Sequence, residues 1–278
     1  MTKVKFRLFA SGYTVANSKQ VLPGTPAREM QFYATWGLVE HPTEGYILFD
    51  TGYAQRHIDL SQKGWAKAYL KALPVFLKPE EEAHTQLKAR GIAPEQIRHI
   101  IISHFHADHL GGLRDFPKAT FHASESAWAS VKGRRGFAAV RKAFIPGLLP
   151  DDIEARLQLF SMEQTQGQDP HLGGLFDLFG DRSIQLCALE GHARGQVGAL
   201  LNTEGQTTFL VADAAWVREH LESEILPSSV VRLIFDCWSA YQATLLRLRT
   251  YRRINPNTLM IPCHCYETWK EISAKQGE

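Results

Sequence analysis

The segment SHFHADHLGG, residues 103–112, places three histidines and one aspartate within six positions, directly after an apolar run. Imidazole and carboxylate groups clustered in this way are typical metal ligands. His104 and His106 lie two residues apart, so an extended backbone would project both side chains from one face. Asp108 and His109 follow a change of chain direction and can enter the same cavity from another side. The spacing predicts two adjacent metal half-sites.

Three later polar residues could complete these half-sites, because each comes just after an apolar run. They are His192 in ALEGHARGQ, Asp213 in FLVADAAW and His264 in LMIPCHC. Ends of buried strands are rigid positions at which proteins commonly place reactive groups. Cys263 and Cys265 flank His264, and their alternation around it predicts that both thiols face away from the metals.

The other histidines are scattered singly along the chain. A lone histidine at the end of a strand usually makes a structural hydrogen bond rather than binding a metal. We interpret the following as structural: His41, His57, His84, His99, His122, His171 and His220.

Apolar periodicity predicts the elements that position the cluster. Strands are predicted in VKFRLFA, MQFYATWGLVEH, GYILFDTG, IRHIIISH and KATFHA, and helices in WAKAYLKAL and KPEEEAHTQLKARG. Residues 124–178 are predicted to be mostly helical. Strands then resume, interrupted by the helical SAYQATLLRLRTYRRI. Two strand-rich halves with intervening helices predict two sheets packed between helices.

Composition narrows the class of protein. The 278 residues include 31 basic and 29 acidic side chains, so no global charge favours a nucleic acid partner. No stretch is long and apolar enough to predict a membrane span. The four cysteines form no C-x-x-C pair, and together with the short N-terminal apolar run they favour reduced thiols and a cytoplasmic location. We find no repeat or linker, which favours a single domain.

The motifs together resemble the metallo-β-lactamase-fold hydrolase superfamily. The resemblance runs from ILFDTG through HFHADHLGG, EGH and LVADA to PCH. It implies an α/β fold, the four-layer αββα sandwich, formed by one domain over residues 1–278. A mostly helical insertion or lid at about residues 124–178 lies outside the motifs.

The same resemblance implies a dinuclear metal site at one edge of the sandwich. Three residues would hold the first metal: His104, His106 and His192. Three others would hold the second metal: Asp108, His109 and His264. Asp213 would bridge the two metals. Asp50 of FDTG would orient a ligand histidine. Nitrogen and carboxylate ligands suit two Zn²⁺ ions, with iron, manganese or cobalt as alternatives.

Such a site predicts hydrolysis of a small lactone or carboxylic ester by a metal-bridging hydroxide, with Asp108 also acting as the catalytic proton acceptor. The N-terminal half is most similar to the N-acyl homoserine lactonase group, which makes those lactones candidate substrates. Two positions depart from that group. EGH replaces the usual PGH, and Trp216 stands where the group carries a tyrosine. We expect Trp216 at the edge of the site.

Other functions remain open from the sequence. A phosphodiesterase or nuclease could use the same site, and an iron-dependent oxidoreductase could share the fold. The diiron reductases tend to replace the second histidine of the motif by glutamate, whereas His106 is present here. A protein that only binds its ligand would not need every metal ligand. The basic and aromatic residues of the segment 128–149 could form either a lid or a solvated helix face. The sequence does not decide the oligomeric state, and a dimer is one possibility.

Overall fold

A computed structural model describes residues 1–276 and contains two mixed sheets. The strands of the first sheet are, in chain order, β1 (Lys5–Asn17), β2 (Glu29–His41), β3 (Gly45–Phe49), β4 (Val75–Phe76), β5 (Ile97–Ile101), β6 (Thr120–Ser124) and β7 (Leu157–Phe160). Their order in the sheet is β4-β1-β2-β3-β5-β6-β7. The pairs from β3 to β7 are parallel, and the others are antiparallel.

The second sheet is built from the C-terminal half of the chain. Its strands are β8 (Gly167–Asp169), β9 (Gly173–Asp177), β10 (Ile184–Ala188), β11 (Val197–Asn202), β12 (Thr207–Leu210) and β13 (Leu259–Ile261). They follow the order β13-β12-β11-β10-β9-β8, and only β12 and β13 pair in parallel.

Helices cover the outer faces of both sheets. They are α1 (Ser18–Val21), α2 (Gln55–Ser61), α3 (Lys67–Ala72), α4 (Ala83–Lys88), α5 (Ala107–Leu110), α6 (Glu125–Val131), α7 (Gly136–Val140), α8 (Ile153–Arg156), α9 (Arg218–Glu222), α10 (Trp238–Ile254) and α11 (Tyr266–Lys275). Within the described chain, no helix combines the length and the apolarity that crossing a membrane requires.

Three buried apolar layers hold the sandwich together. Ile47 and Ile101 of the first sheet meet Leu186 of the second sheet in the central layer. Leu87 of α4 belongs to the layer on the outer face of the first sheet, and Leu245 of α10 to the layer on the outer face of the second. Burial of this apolar surface is the main force stabilising the stack. The predicted αββα sandwich is confirmed.

The prediction for residues 124–178 is wrong in its C-terminal part. Helices and 3₁₀ turns extend only to Arg156, after which the chain forms β7, β8 and β9. These strands have only three to five residues, and β7 forms as a parallel partner of β6. Short strands depend on their neighbours more than on their own sequence pattern. Pairing with neighbouring strands therefore determines the structure of this segment, and its local sequence periodicity does not predict it.

Candidate metal centre

The seven residues predicted as ligands meet at one end of the sandwich. The chain reaches this end directly after β5, β10, β12 and β13. Six of the seven residues lie in two groups, with Asp108 and His109 on the short helix α5 and the others in the segments that follow these strands directly, and Asp213 lies in a 3₁₀ turn after β12. A close approach of two loops shapes the end of the motif. Gly111 N donates to the carbonyl of Gly52 at 2.9 Å, and a Cβ on Gly111 would lie only 2.5 Å from that oxygen. This contact explains why glycine follows the histidine cluster.

A first group of side chains gathers around His104. Ligand atoms of His104, His106, His192 and Asp213 all lie within 4.8 Å of one another. His192 Nε2 is 2.9 Å from Nδ1 of His106 and 3.0 Å from Oδ2 of Asp213. The His104 side chain is fully buried, and its Nε2 has no hydrogen-bond partner. These atoms form the first predicted half-site.

A second group lies on the other side of Asp213. Ligand atoms of Asp108, His109 and His264 are again within 4.8 Å of one another. Oδ2 of Asp108 is 3.5 Å from Nε2 of His109 and 3.5 Å from Nε2 of His264. These atoms form the second predicted half-site.

Asp213 contacts both groups with one carboxylate. Its Oδ1 lies 3.1 Å from His109 Nε2, and its Oδ2 lies 3.4 Å from His264 Nε2 and 3.0 Å from His192 Nε2. The preceding residue, Ala212, has φ of 46°, in the left-handed region that costs energy for a residue with a Cβ. The strained turn aims the carboxylate between the two groups.

Asp50 orients His109 and His104 from the Nδ1 side of their rings, as expected. Its Oδ2 accepts hydrogen bonds from His109 Nδ1 at 2.8 Å and from Ser103 Oγ at 2.7 Å, while Oδ1 accepts from Ser103 N at 2.8 Å. Ser103 Oγ in turn lies 3.0 Å from His104 Nδ1. One buried carboxylate therefore fixes the ring orientation of His109 directly and of His104 through Ser103, leaving each Nε2 free to bind a metal.

The electrostatics differ between the two groups. Burial lowers the pKa of His104 well below its usual value and the pKa of His106 to about 3, so both rings are neutral, as metal ligation requires. Burial opposes charge on His109, but Asp108, Asp50 and Asp213 raise its pKa well above the usual value. The carboxylates thus create a site that favours a positive charge.

The donor set fits divalent metal ions. The buried Nε2 atom of His104 has no hydrogen-bond partner within the described structure, although its ring packs against His106, His109 and His192 of the cluster. Unsatisfied buried polar atoms are costly, and a bound cation would satisfy them. The neutral imidazoles of His104 and His106, together with the ionised carboxylates that favour a cation, suit Zn²⁺ and the other first-row metals considered from the sequence.

Two residues near the centre differ from expectation. Cys263 does not face away from the site, because its Sγ donates to Oδ1 of Asp213 at 2.8 Å. Trp216 is not at the edge either. Its side chain is 6% exposed, packs against Phe32 and Phe235, and donates from Nε1 to Oδ2 of Asp213 at 3.2 Å. Single side chains beside a ligand give no periodic signal that predicts which way they point.

Sequence reasoning missed one further contact. His264 Nδ1 donates to the carbonyl of Tyr33 at 2.8 Å, which fixes the ring so that Nε2 faces Asp108 and Asp213. The anchor is a backbone oxygen of β2, more than 200 residues away along the chain. No side-chain type at position 33 could have revealed it.

Several histidines outside the centre make the structural contacts expected of them. His41 Nε2 lies 3.0 Å from Ser183 Oγ, and His220 Nε2 donates to the carbonyl of Val21 at 2.9 Å. His99 Nδ1 and His122 Nε2 are 3.0 Å apart on neighbouring strands.

Known proteins show which family this architecture represents. Residues 31–253 match the model of the metallo-beta-lactamase superfamily. The chain is 26% identical to N-acyl homoserine lactonase AttM of Azorhizobium caulinodans, over 86% of this chain and 84% of that protein. It is 27% identical to N-acyl homoserine lactonase AiiB of Agrobacterium fabrum, over 89% of this chain and 86% of that protein.

A solved structure shows the same fold. An AiiA variant from B. thuringiensis with N-decanoyl-L-homoserine bound at its active site superposes with a TM-score of 0.74 at 18% identity, covering 98% of this chain and 97% of that one. The family match spans most of the residues, including the region 124–178 that carries no motif. This protein belongs to the metallo-beta-lactamase superfamily, which confirms the prediction of a metal-dependent hydrolase.

Proposed function

We propose that this protein binds two divalent metal ions, with Zn²⁺ as the first choice, and hydrolyses a small lactone or carboxylic ester. The observation that carries the proposal is the position of Asp213, whose two oxygens contact the histidines of both half-sites. The curated relatives named as N-acyl homoserine lactonases support lactones as the substrate class.

Two bound metal ions would supply Lewis acidity, lowering the pKa of a water nucleophile and polarising the carbonyl that it attacks. The chain supplies the ligands and their orientation. His104, His106 and His192 would hold one ion, Asp108, His109 and His264 would hold the other, and Asp213 would bridge them. Because these side chains are fixed by hydrogen bonds and packing, little reorganisation is needed when charge develops on the substrate oxygen.

Asp108 also has the position of a proton acceptor. It lines a cavity of about 340 Å³ that opens onto both half-sites. Burial opposes its ionisation, but His109 and His264 lower its pKa, so the carboxylate is ionised and can accept a proton from the attacking water. No serine or cysteine nucleophile is required.

The same cavity supports an apolar substituent on the substrate. Its walls beyond the polar centre are mostly aliphatic and aromatic, including Val21, Phe32, Val140, Trp216 and Ile234. Pockets of this size and character bind ligands largely through apolar contact, while a few polar groups set the orientation. An acyl chain of moderate length is therefore a suitable occupant.

A substrate panel and isotope label test the proposal. Zinc-loaded protein is assayed with an N-acyl homoserine lactone, an aryl ester and an activated phosphodiester, and single-turnover hydrolysis in ¹⁸O-water follows the label. Lactone or ester opening with ¹⁸O directly in the product acid supports the proposal. Inert lactones and esters with rapid phosphodiester cleavage would instead assign the site to a phosphodiesterase.

A further inference from the structure

A second cavity adjoins the candidate metal centre. Its volume is about 420 Å³, and it shares His106, Arg141, His192 and Ile234 with the apolar cavity described above. We call it the basic cavity, because four of its lining residues carry positive charge and one carries negative charge: Arg134, Arg141, Lys142, Arg194 and Asp236. A ligand at the metal centre could therefore extend into either cavity.

The walls of the basic cavity are tied to the loops that carry two of the predicted ligands. Ala107, which follows His106, donates from its backbone to the carbonyl of Ala143 at 2.9 Å. Asp236 N donates to the carbonyl of His192 at 3.0 Å. Ala143 has φ of 48°, an uncommon conformation held by its surroundings. The cavity thus keeps a fixed position relative to His106 and His192.

Two of the residues that line the cavity form an ion pair. Lys142 of the segment after α7 binds Asp236 of the segment before α10. This pair neutralises one positive and one negative charge. It also links two parts of the cavity lining that are far apart in the sequence.

The remaining three positive charges are not balanced in this way. Arg134 bonds through Nε to the carbonyl of Ser130. None of the ion pairs found among residues 1–276 involves the guanidinium group of Arg134, Arg141 or Arg194, with 4.0 Å as the limiting distance. Guanidinium groups recognise carboxylate and phosphate oxygens through paired hydrogen bonds. Three of them around one cavity beside the metal ligands form an anion-binding environment.

We propose that the basic cavity binds a negatively charged group, a carboxylate or a phosphate, on the substrate whose lactone or ester bond lies at the metal centre. This inference rests on the function proposed above and narrows its substrate class. A neutral acyl lactone would use the apolar cavity alone, whereas an anionic substrate would use the arginines as well. The segment 128–149 then lines the site instead of serving only as a solvated face.

Matched substrate pairs test the charge preference. One pair is N-hexanoyl and N-adipoyl homoserine lactone, which places the carboxylate on the acyl substituent. The other is a γ-pentyl and a γ-(4-carboxybutyl) butyrolactone, which places it on the ring. Phosphonates in place of the carboxylates distinguish the two anions. In at least one pair, the anionic member should have kcat/KM higher by about tenfold, and added salt should reduce that advantage.

Single arginine variants assign the effect to the cavity. Arg194→Gln and Arg134→Gln should each lower the ratio of kcat/KM for the anionic member to that for the neutral member by about three- to tenfold. Arg135→Gln is the matched control, since Arg135 belongs to the same basic stretch but does not line the cavity. An equal ratio in all variants, or the same loss in Arg135→Gln, would overturn the proposal.

Binding measurements keep the inference independent of turnover. Calorimetry with the ring-opened N-adipoyl and N-hexanoyl homoserines uses the same zinc-loaded protein and variants. If neither a lactone nor an ester is hydrolysed, the proposed function fails, yet tighter and Arg194-dependent binding of the adipoyl compound would still support an anion site. Equal affinity for both compounds, unaffected by salt, contradicts the anion site whatever the enzyme hydrolyses.

Discussion

The indole Nε1 of Trp216 donates a hydrogen bond to Oδ2 of Asp213 at 3.2 Å, and both side chains are buried. Cys263 Sγ donates to the other oxygen of the same carboxylate. Asp213 is therefore held from two sides before any metal contact is considered. At the position where the sequence resemblance leads us to expect a tyrosine, this chain has an indole that donates to the carboxylate of Asp213.

Replacing this indole should weaken metal binding. Trp216→Phe keeps an aromatic ring for packing but removes the N–H donor, and loss of a group that orients a ligand typically costs about 10- to 100-fold in metal affinity or activity. Competition with a zinc chelator measures the affinity. Trp238→Phe is the control, because the Nε1 of Trp238 makes no hydrogen bond within the described chain. Equal zinc affinity in both variants would show that the indole only packs.

Removing the buried aspartate behind the histidines should have a similar effect. Asp50→Asn retains the size of the side chain but removes the negative charge of the carboxylate that accepts hydrogen bonds from His109 Nδ1 and Ser103 N. We expect zinc affinity to fall by about 10- to 100-fold, with lower thermal stability of the zinc-loaded protein. Asp59→Asn, an exposed change on α2, serves as the control. Unchanged affinity in Asp50→Asn would contradict the orienting role.

Asp108 should matter more for turnover than for substrate binding. Asp108→Ala removes a predicted metal ligand and the proton acceptor, so kcat should fall on the order of 10²-fold or more. KM should change less, because the apolar walls that contact the substrate are unaffected. Steady-state kinetics together with metal analysis measures both effects. Near-full kcat with both metals bound would contradict the role given to Asp108.

A buried histidine pair outside the candidate metal centre should make stability depend on pH. Burial lowers the pKa of His122 from 6.5 to about 4, and the neighbouring His99 adds to this effect. Neutral His122 therefore stabilises the fold above pH 6.5, and this stability is lost as the pH falls from 6.5 towards 4. Between pH 7.5 and pH 5 the loss is about 2 kcal/mol.

Denaturant unfolding of the wild type and His122→Gln at these two pH values checks this contribution. The variant removes the titrating imidazole, so the free energy of unfolding should decrease less on acidification than it does in the wild type. Groups that titrate in both proteins and do not contact His122 cancel in the difference. An identical decrease in both proteins would show that folding does not lower the pKa of His122.

Much of the site could be predicted because its residues follow recognisable strands. IRHIIISH and LMIPCHC each combine an apolar strand with a polar residue just beyond it, and the structure brings His104 and His264 to the same end of the sandwich. The αββα arrangement could be predicted for the same reason, since long apolar strands and α10 dominate the pattern.

Other features depend on contacts between distant parts of the chain. β7 and β8 are short and gain their structure from sheet neighbours, so the segment after Arg156 carried no strand signal. The orientation of Cys263 depends on the turn at Asp213, and that of His264 on the backbone of Tyr33. Such contacts are set by tertiary packing and leave no mark in local spacing.

The most direct test is a titration of metal-depleted protein with Zn²⁺ while lactone opening is measured. Two sites sharing Asp213 predict that the rate rises with added zinc and levels off at about two ions per chain. In Asp213→Ala, the same amount of zinc should give almost no activity. Hydrolysis of both the lactone and an aryl ester at only the background rate, when zinc is saturating, would contradict the proposed function.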